Sequence, residues 1–341
     1  MKPDEPGPNP LTGLRRQMLR PRTLVPIALA IAAMLLALRA LLGISPGVVW
    51  AEVADANPVL LALAVGVFYI SFPVRALRWR VLLVNAGHRD LPSVASLTRM
   101  MVLGSFANSI SVAQLGDLYR GYLLKREAGV SLPLTLGTIL AERLVDLVTL
   151  VSLLAAATLT AYSGRLPQQG VEALVAGLGL GAGGLIGLLL LPRSHRLVHR
   201  FVPARWHSAY ERFEHGAVRS LDRLPLLVGY SALGWLIEGA TLLLLAAAIG
   251  VDLSTTGALV TGLVASLLSV EPFTPGGLGV TEPGIVVVLT SLGTASSAAS
   301  AIALLNRLVN YASLAVAGAV LYLALRIMQL RVSPASGPAP F

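Results

Sequence analysis

Two carboxylates, Glu271 and Glu282, stand in the stretch "SVEPFTPGGLGVTEPG" at 269–284, among Pro272, Pro275, Pro283, Gly276, Gly277, Gly279 and Gly284. Acids in a helix-breaking segment suit contact with a charged ligand. Glycine lets backbone approach closely, and the N-terminus of a half-helix turns N–H groups toward an anion. A second polar set holds Asp117, then Glu142, Arg143 and Asp146 in "ERLVD". A third, "NRLVN", holds Asn306, Arg307 and Asn310. Arg143 and Asp146 are three apart, so a helix allows them to pair. Glu142 shares a face with Asp146, which leaves one carboxylate needing another partner. Arg307 has no acid nearby on its own helix; Glu271 or Glu282 is its expected partner. Covalent catalysis has no support in these patterns. Cysteine is absent, and no GxSxG, Walker loop or nucleophile–base set occurs. His195, His199, His207 and His215 crowd one connection without an HExxH pattern or a paired acid. Gly179-x-Gly181-x-x-Gly184 lies in an apolar span with no preceding strand, so it reads as helix packing (Gly177 with Gly181, Gly179 with Gly183) rather than nucleotide binding. The expectation is a non-enzyme with no metal and no cofactor.

The elements that must position these groups are membrane helices. The 341-residue chain is 55% hydrophobic and 13% charged, with a mean hydropathy of +0.76; a soluble domain is about 25% charged. Runs of about 20 apolar residues span a bilayer, and 24–43, 58–74, 132–161, 171–191, 224–250 and 298–325 qualify. Two further apolar stretches, 94–112 and 257–293, are interrupted by polar or Gly/Pro residues. Arg99, Asp117, Glu142, Arg143, Asp146, Glu238, Glu271, Glu282 and Arg307 fall in or beside apolar segments. Each would cost roughly 2.5–3.5 kcal/mol alone at the bilayer centre, so they must pair, face water or lie near an interface.

Basic residues mark the cytoplasmic side. They collect in the tail at 1–23, in 75–93, in 192–223 and beyond 326, while 44–57 has none. The net charge of +9 therefore needs no nucleic acid to explain it. The segment "RALRWRVLL" at 75–83 reads as an Arg-rich surface on anionic lipid with Trp79 as an interface anchor, and the His- and Arg-rich 192–223 connection reads likewise. Counting crossings puts both termini in the cytoplasm of a cell-membrane protein. It also forces 94–131 to enter and leave on the inside, and 257–293 on the outside. The reading is an all-α polytopic membrane protein with six full spans and two oppositely oriented re-entrant hairpins. One transmembrane domain covers 24–331, and 332–341 is a Pro-rich tail.

An inverted repeat is expected, with units at about 58–161 and 224–326. "ERLVD" and "NRLVN" share a polar-Arg-Leu-Val-polar pattern; Asp117 precedes Arg143 by 26 residues, and Glu282 precedes Arg307 by 25. Interrupted segments at corresponding positions of inverted halves point to a transport site near the midplane.

"EPFTPGGLGVTE" resembles the Pro-Gly-Gly-x-Gly-x-x-Glu signature of the flippase-like family, the membrane region of lysylphosphatidylglycerol synthases and their stand-alone relatives. "NSISVAQLGDLYRGYLLKREAGVS" with "AERLVD" resembles its other hallmark, matching at Asn108, Gly116 and Arg120, conservatively at Asp117, and departing at Ser109, Val112 and Gln114. The resemblance covers about 58–326. It implies translocation of a lipid or lipid-linked group between leaflets; about ten residues follow the last helix, so the synthases' aminoacyl-transfer activity is not carried over. On this reading Arg120, Arg143 and Arg307 compensate a phosphate, and Asp117, Asp146, Glu271 and Glu282 position those arginines or couple protons. Asn108 and Glu142 complete the set, and Gly276, Gly277 and Gly279 form the cavity floor. A small-solute secondary transporter and an accessory subunit of a membrane glycosyltransferase are the alternatives.

Overall fold

A computed structural model of the chain describes residues 46–110, 115–161, 168–194, 203–269 and 279–332, and among them the fold is entirely helical. The expected span at 24–43, both tails and three expected site residues, Glu271, Gly276 and Gly277, lie outside the described residues.

A short helix α1 (Pro46–Ala54) leads into α2 (Pro58–Asn85). The start of α2 follows from its sequence: the Asn57 side chain accepts from the N–H groups of Val59 and Leu60 at 2.9 and 3.3 Å, with Pro58 pre-set for the first turn. Gly87, at φ +91°, ends it. Two short helices follow, α3 (Val94–Ile110) and α4 (Leu115–Ala128), then the long α5 (Leu132–Ala161) and α6 (Gln168–Leu190). An amphipathic helix α7 (His207–Arg219) precedes α8 (Leu224–Ala248). A second pair of short helices, α9 (Thr255–Ser269) and α10 (Thr281–Ser291), leads to α11 (Ser296–Arg307), which passes through a π-turn at Leu308–Ser313 into α12 (Leu314–Val332).

Three of the described helical stretches, Pro58–Asn85, Leu224–Ala248 and Ser296–Tyr322, are long and apolar enough to cross a membrane. Their outer faces carry exposed Val59, Leu63, Ile70, Leu233, Leu236 and Val316, the surface that lipid tails cover. α2 packs along α8, joining Phe68, Phe72, Trp79, Leu82 and Leu83 to Leu227 and Leu245 in one core. α3 and α4 pack on each other, and α3 also on α2 and α12; α9 and α10 pair likewise, and α10 rests on α11. α5 touches α4, α7, α8 and α9, so it runs through the middle of the bundle.

Two sequence expectations change. The expected span at 58–74 does not end at residue 74: α2 runs on to Asn85, and 75–83 is helix with Arg78 and Trp79 buried, not a solvated surface segment. Trp79 is fully enclosed, its indole N–H directed at the Thr138 hydroxyl at 3.4 Å, so it is a core residue rather than an interface anchor. The glycine pairs of α6 divide. A Cβ on Gly177 or Gly181 would meet Val151 or Val148 of α5, whereas Gly179 and Gly183 have nothing within 4 Å. Only the first pair makes a helix contact.

Candidate functional site

The site starts from Arg78, on the inward face of α2. Its guanidinium donates to Glu142 Oε1 at 2.8 Å, to both carboxylate oxygens of Asp146 (2.8 Å from Nη2 to Oδ2), and to the Ser231 hydroxyl of α8 at 2.6 Å. Glu142 passes the chain on. Its Oε2 accepts from Arg120 Nη2 at 2.7 Å. Arg120 lies over the Trp79 ring, 4.7 Å from its centroid, a cation–π contact that the buried indole provides, and its Nη1 is 2.9 Å from Met101 Sδ. Asp117 stands 3.8 Å from Arg120 and accepts from Arg143 at 2.8 and 3.2 Å. The result is a continuous series of alternating charge, Asp146–Arg78–Glu142–Arg120–Asp117–Arg143, drawn from α2, α4 and α5.

Burial sets the energetics. Arg78, Arg120 and Glu142 are 3%, 4% and 5% exposed. Charges removed from water are tolerated when each has a close partner of opposite sign and its remaining hydrogen-bonding groups are used; removing one partner costs about 3–5 kcal/mol. The middle of the series is buried, and its Arg143 end opens, with that side chain 43% exposed. Between them lies a polar cavity of about 40 Å³, room for a few water molecules at about 10–15 Å³ each. Arg75, Ser105 and Asn108 line it along with the ion series.

Asn108 holds the site together. Its side-chain oxygen accepts from the Gly116 N–H at 2.7 Å, tying the end of α3 to the first turn of α4. Gly116 lies so close to the Gly104 carbonyl that no side chain fits between them.

The remaining described candidates form a second cluster on α10 and α11. Glu282, 2% exposed, accepts from the N–H of Gly279 at 2.9 Å and faces Arg307 Nε at 3.1 Å. Gly279 takes φ +82°, a conformation that suits glycine. Arg307 lies 4.5 Å from the centre of the Tyr311 ring. From the π-turn, Asn310 donates to Glu238 at 3.2 Å and to Asn306 at 2.6 Å, and the Tyr311 hydroxyl donates to the Ser109 carbonyl at the end of α3.

Six candidates therefore meet at the cavity: Asn108, Asp117, Arg120, Glu142, Arg143 and Asp146. Gly279, Glu282 and Arg307 meet elsewhere. The expected Arg143–Asp146 pair does not form, because Arg78 takes Asp146 and Asp117 takes Arg143. Arg78 and Arg75 are the residues that the sequence reading missed. Counting Arg75, Arg78 and Arg80 as cytoplasmic markers hid a helical phase in which Ser71, Arg75, Arg78 and Leu82 follow one face at spacings of three and four.

A family described as the lysylphosphatidylglycerol synthase TM region matches residues 25–318. The chain belongs to this family. As a member of it, with its apolar helices, this is a multi-pass membrane protein. A UPF0104 membrane protein of Methanocaldococcus jannaschii is 32% identical over 222 residues, covering 64% of this chain and 93% of the relative. Another UPF0104 membrane protein, from Methanothermobacter thermautotrophicus, is 23% identical over 83% of this chain and 88% of its own length. Glycosyltransferase AglD of Haloferax volcanii is 25% identical over 92% of this chain, but the match spans 56% of that longer protein. The family match encloses both charged clusters.

Proposed function

We propose that this protein moves an anionic lipid or lipid-linked headgroup between the leaflets of the cell membrane, without covalent catalysis. The observation that carries the reading is the ion series lining a polar cavity among membrane helices. A bundle held together by packing alone has no need of six charges in one largely buried series. Lone buried pairs are often no more stabilising than apolar residues.

The architecture supports the same reading. α3 and α4, 17 and 14 residues long, reach about 25 and 21 Å at 1.5 Å per residue, short of the roughly 30 Å hydrocarbon core. α9 and α10, 15 and 11 residues long, also fall short of it. We read each pair as a re-entrant hairpin and the two as halves of an inverted repeat. In each half an acid at the start of the pair's second helix holds an arginine on the following helix: Asp117 with Arg143, Glu282 with Arg307. On this reading both termini are cytoplasmic, and the exposed Arg205, Arg212 and Arg219 beside and on α7 face anionic headgroups.

The relative named a glycosyltransferase favours one second reading, a membrane part that serves glycosyl transfer and whose cargo carries a lipid-linked sugar. The deciding measurement is leaflet exchange of fluorescent phosphatidylglycerol in proteoliposomes holding the purified chain, read by quenching of the outer leaflet. The proposal expects quenching to exceed one half as inner-leaflet lipid becomes accessible. Quenching equal to that of protein-free vesicles, for this lipid and for a polyprenyl-phosphate sugar, overturns it.

A further inference from the structure

The arginines expected to compensate a phosphate are already engaged. Arg120 is committed to Glu142 and Arg143 to Asp117, and at the second cluster Arg307 faces Glu282. Arg75 is different. It lines the cavity one helical turn before Arg78, yet among the described residues no side chain accepts a hydrogen bond from it or pairs with it. Two acids act on it at longer range: Asp146, which already binds Arg78 through both oxygens, and Glu238, which accepts from Asn310 and lies outside the cavity lining. Arg78 and Arg143 repel it.

Charge counting around the cavity gives the same result. Four guanidiniums, Arg75, Arg78, Arg120 and Arg143, face three carboxylates, Asp117, Glu142 and Asp146, leaving one positive charge without a partner in the lining. A partly buried cation lining that cavity favours an anion, because its charge is screened less there than in bulk water. Guanidinium also presents two parallel N–H groups that match the two free oxygens of a phosphodiester.

We propose that Arg75 is the residue of the cavity that receives the ligand's anionic group, and that this group is a singly charged phosphodiester. A diester cancels the surplus; a pyrophosphate would reverse it and press on Asp117, Glu142 and Asp146. The lipid as source of the diester rests on the translocation reading above, whereas the Arg75 site stands apart from it.

The test is calorimetric titration of the detergent-purified full chain with three probes: dihexanoyl phosphatidylglycerol, water-soluble glycerophosphoglycerol and inorganic pyrophosphate. The short-chain lipid is expected to bind most tightly. Arg75→Gln should weaken it by about tenfold or more, the size of a lost charge-assisted hydrogen bond, and Arg75→Lys should restore part of the loss. Because Arg75 has no pair to break, the probe-free unfolding midpoint of Arg75→Gln should not fall. Wild-type affinity in Arg75→Gln overturns the site, and pyrophosphate binding tighter than the lipid overturns the charge class. Equal binding of glycerophosphoglycerol keeps the site and overturns the lipid source. Arg75-dependent binding without leaflet exchange by the wild type refutes translocation while leaving the site intact.

Discussion

At the scale of single residues, Glu142 is the pivot: one carboxylate, 5% exposed, between the guanidiniums of Arg78 and Arg120. Glu142→Gln changes volume little but removes the charge that both arginines face, and the expected loss is about 3–5 kcal/mol. Adding Arg120→Met removes one of the stranded cations, so the double variant should be more stable than the sum of the single changes predicts, by about 0.5–3 kcal/mol. Thermal unfolding of the four proteins checks this, and additive losses would mean that the two side chains do not interact. That Glu142 and Arg143 stand out was legible in the sequence, since each is a charge in an apolar context; Arg120 stood out only through the family resemblance. Their partners were not. Arg78 and Asp146 stand 68 residues apart, and spacing within one helix says nothing about which neighbouring helix supplies the opposite charge.

At the scale of elements, the long apolar runs were legible as helices, and 132–161 was placed to the residue, because burial in lipid leaves a helix as the means of satisfying its backbone. The end of α2 was misread: arginines signal both cytoplasmic loops and buried ion pairs, and composition does not separate the two. Glycine shows the same ambiguity. Gly216 of α7 sits so close to α5 that a Cβ would run into the Leu134 carbonyl, and Gly137 of α5 faces the Phe213 carbonyl. These are close backbone approaches that only glycine allows. Gly179 of α6 meets nothing. Gly216→Ala should therefore destabilise by about 1–3 kcal/mol through overpacking. Gly179→Ala should hold stability or raise it by up to about 1 kcal/mol through helix propensity. Unfolding midpoints in one detergent rank the two, and the reverse order would contradict the α5–α7 crossing.

At the scale of the whole molecule, the orientation rests on the chain's distribution of arginine, and the structure makes the test clean. Ser208 on α7 and Thr255 at the start of α9 are both exposed and separated in sequence by α8. α8 has 25 residues and so reaches about 37 Å, more than the roughly 30 Å hydrocarbon core; the two positions should emerge on opposite faces. No native cysteine competes. Ser208→Cys should resist an impermeant maleimide added to intact cells and react once the membrane is opened, whereas Thr255→Cys should react from outside at once. The opposite pattern would invert the protein and place the basic α7 region outside, away from the leaflet its arginines are proposed to contact. Labelling of both positions from outside would mean that α8 does not cross. It would also remove the inverted repeat, because the two hairpins would then enter from the same side and the pairs Asp117–Arg143 and Glu282–Arg307 would no longer be related by inversion.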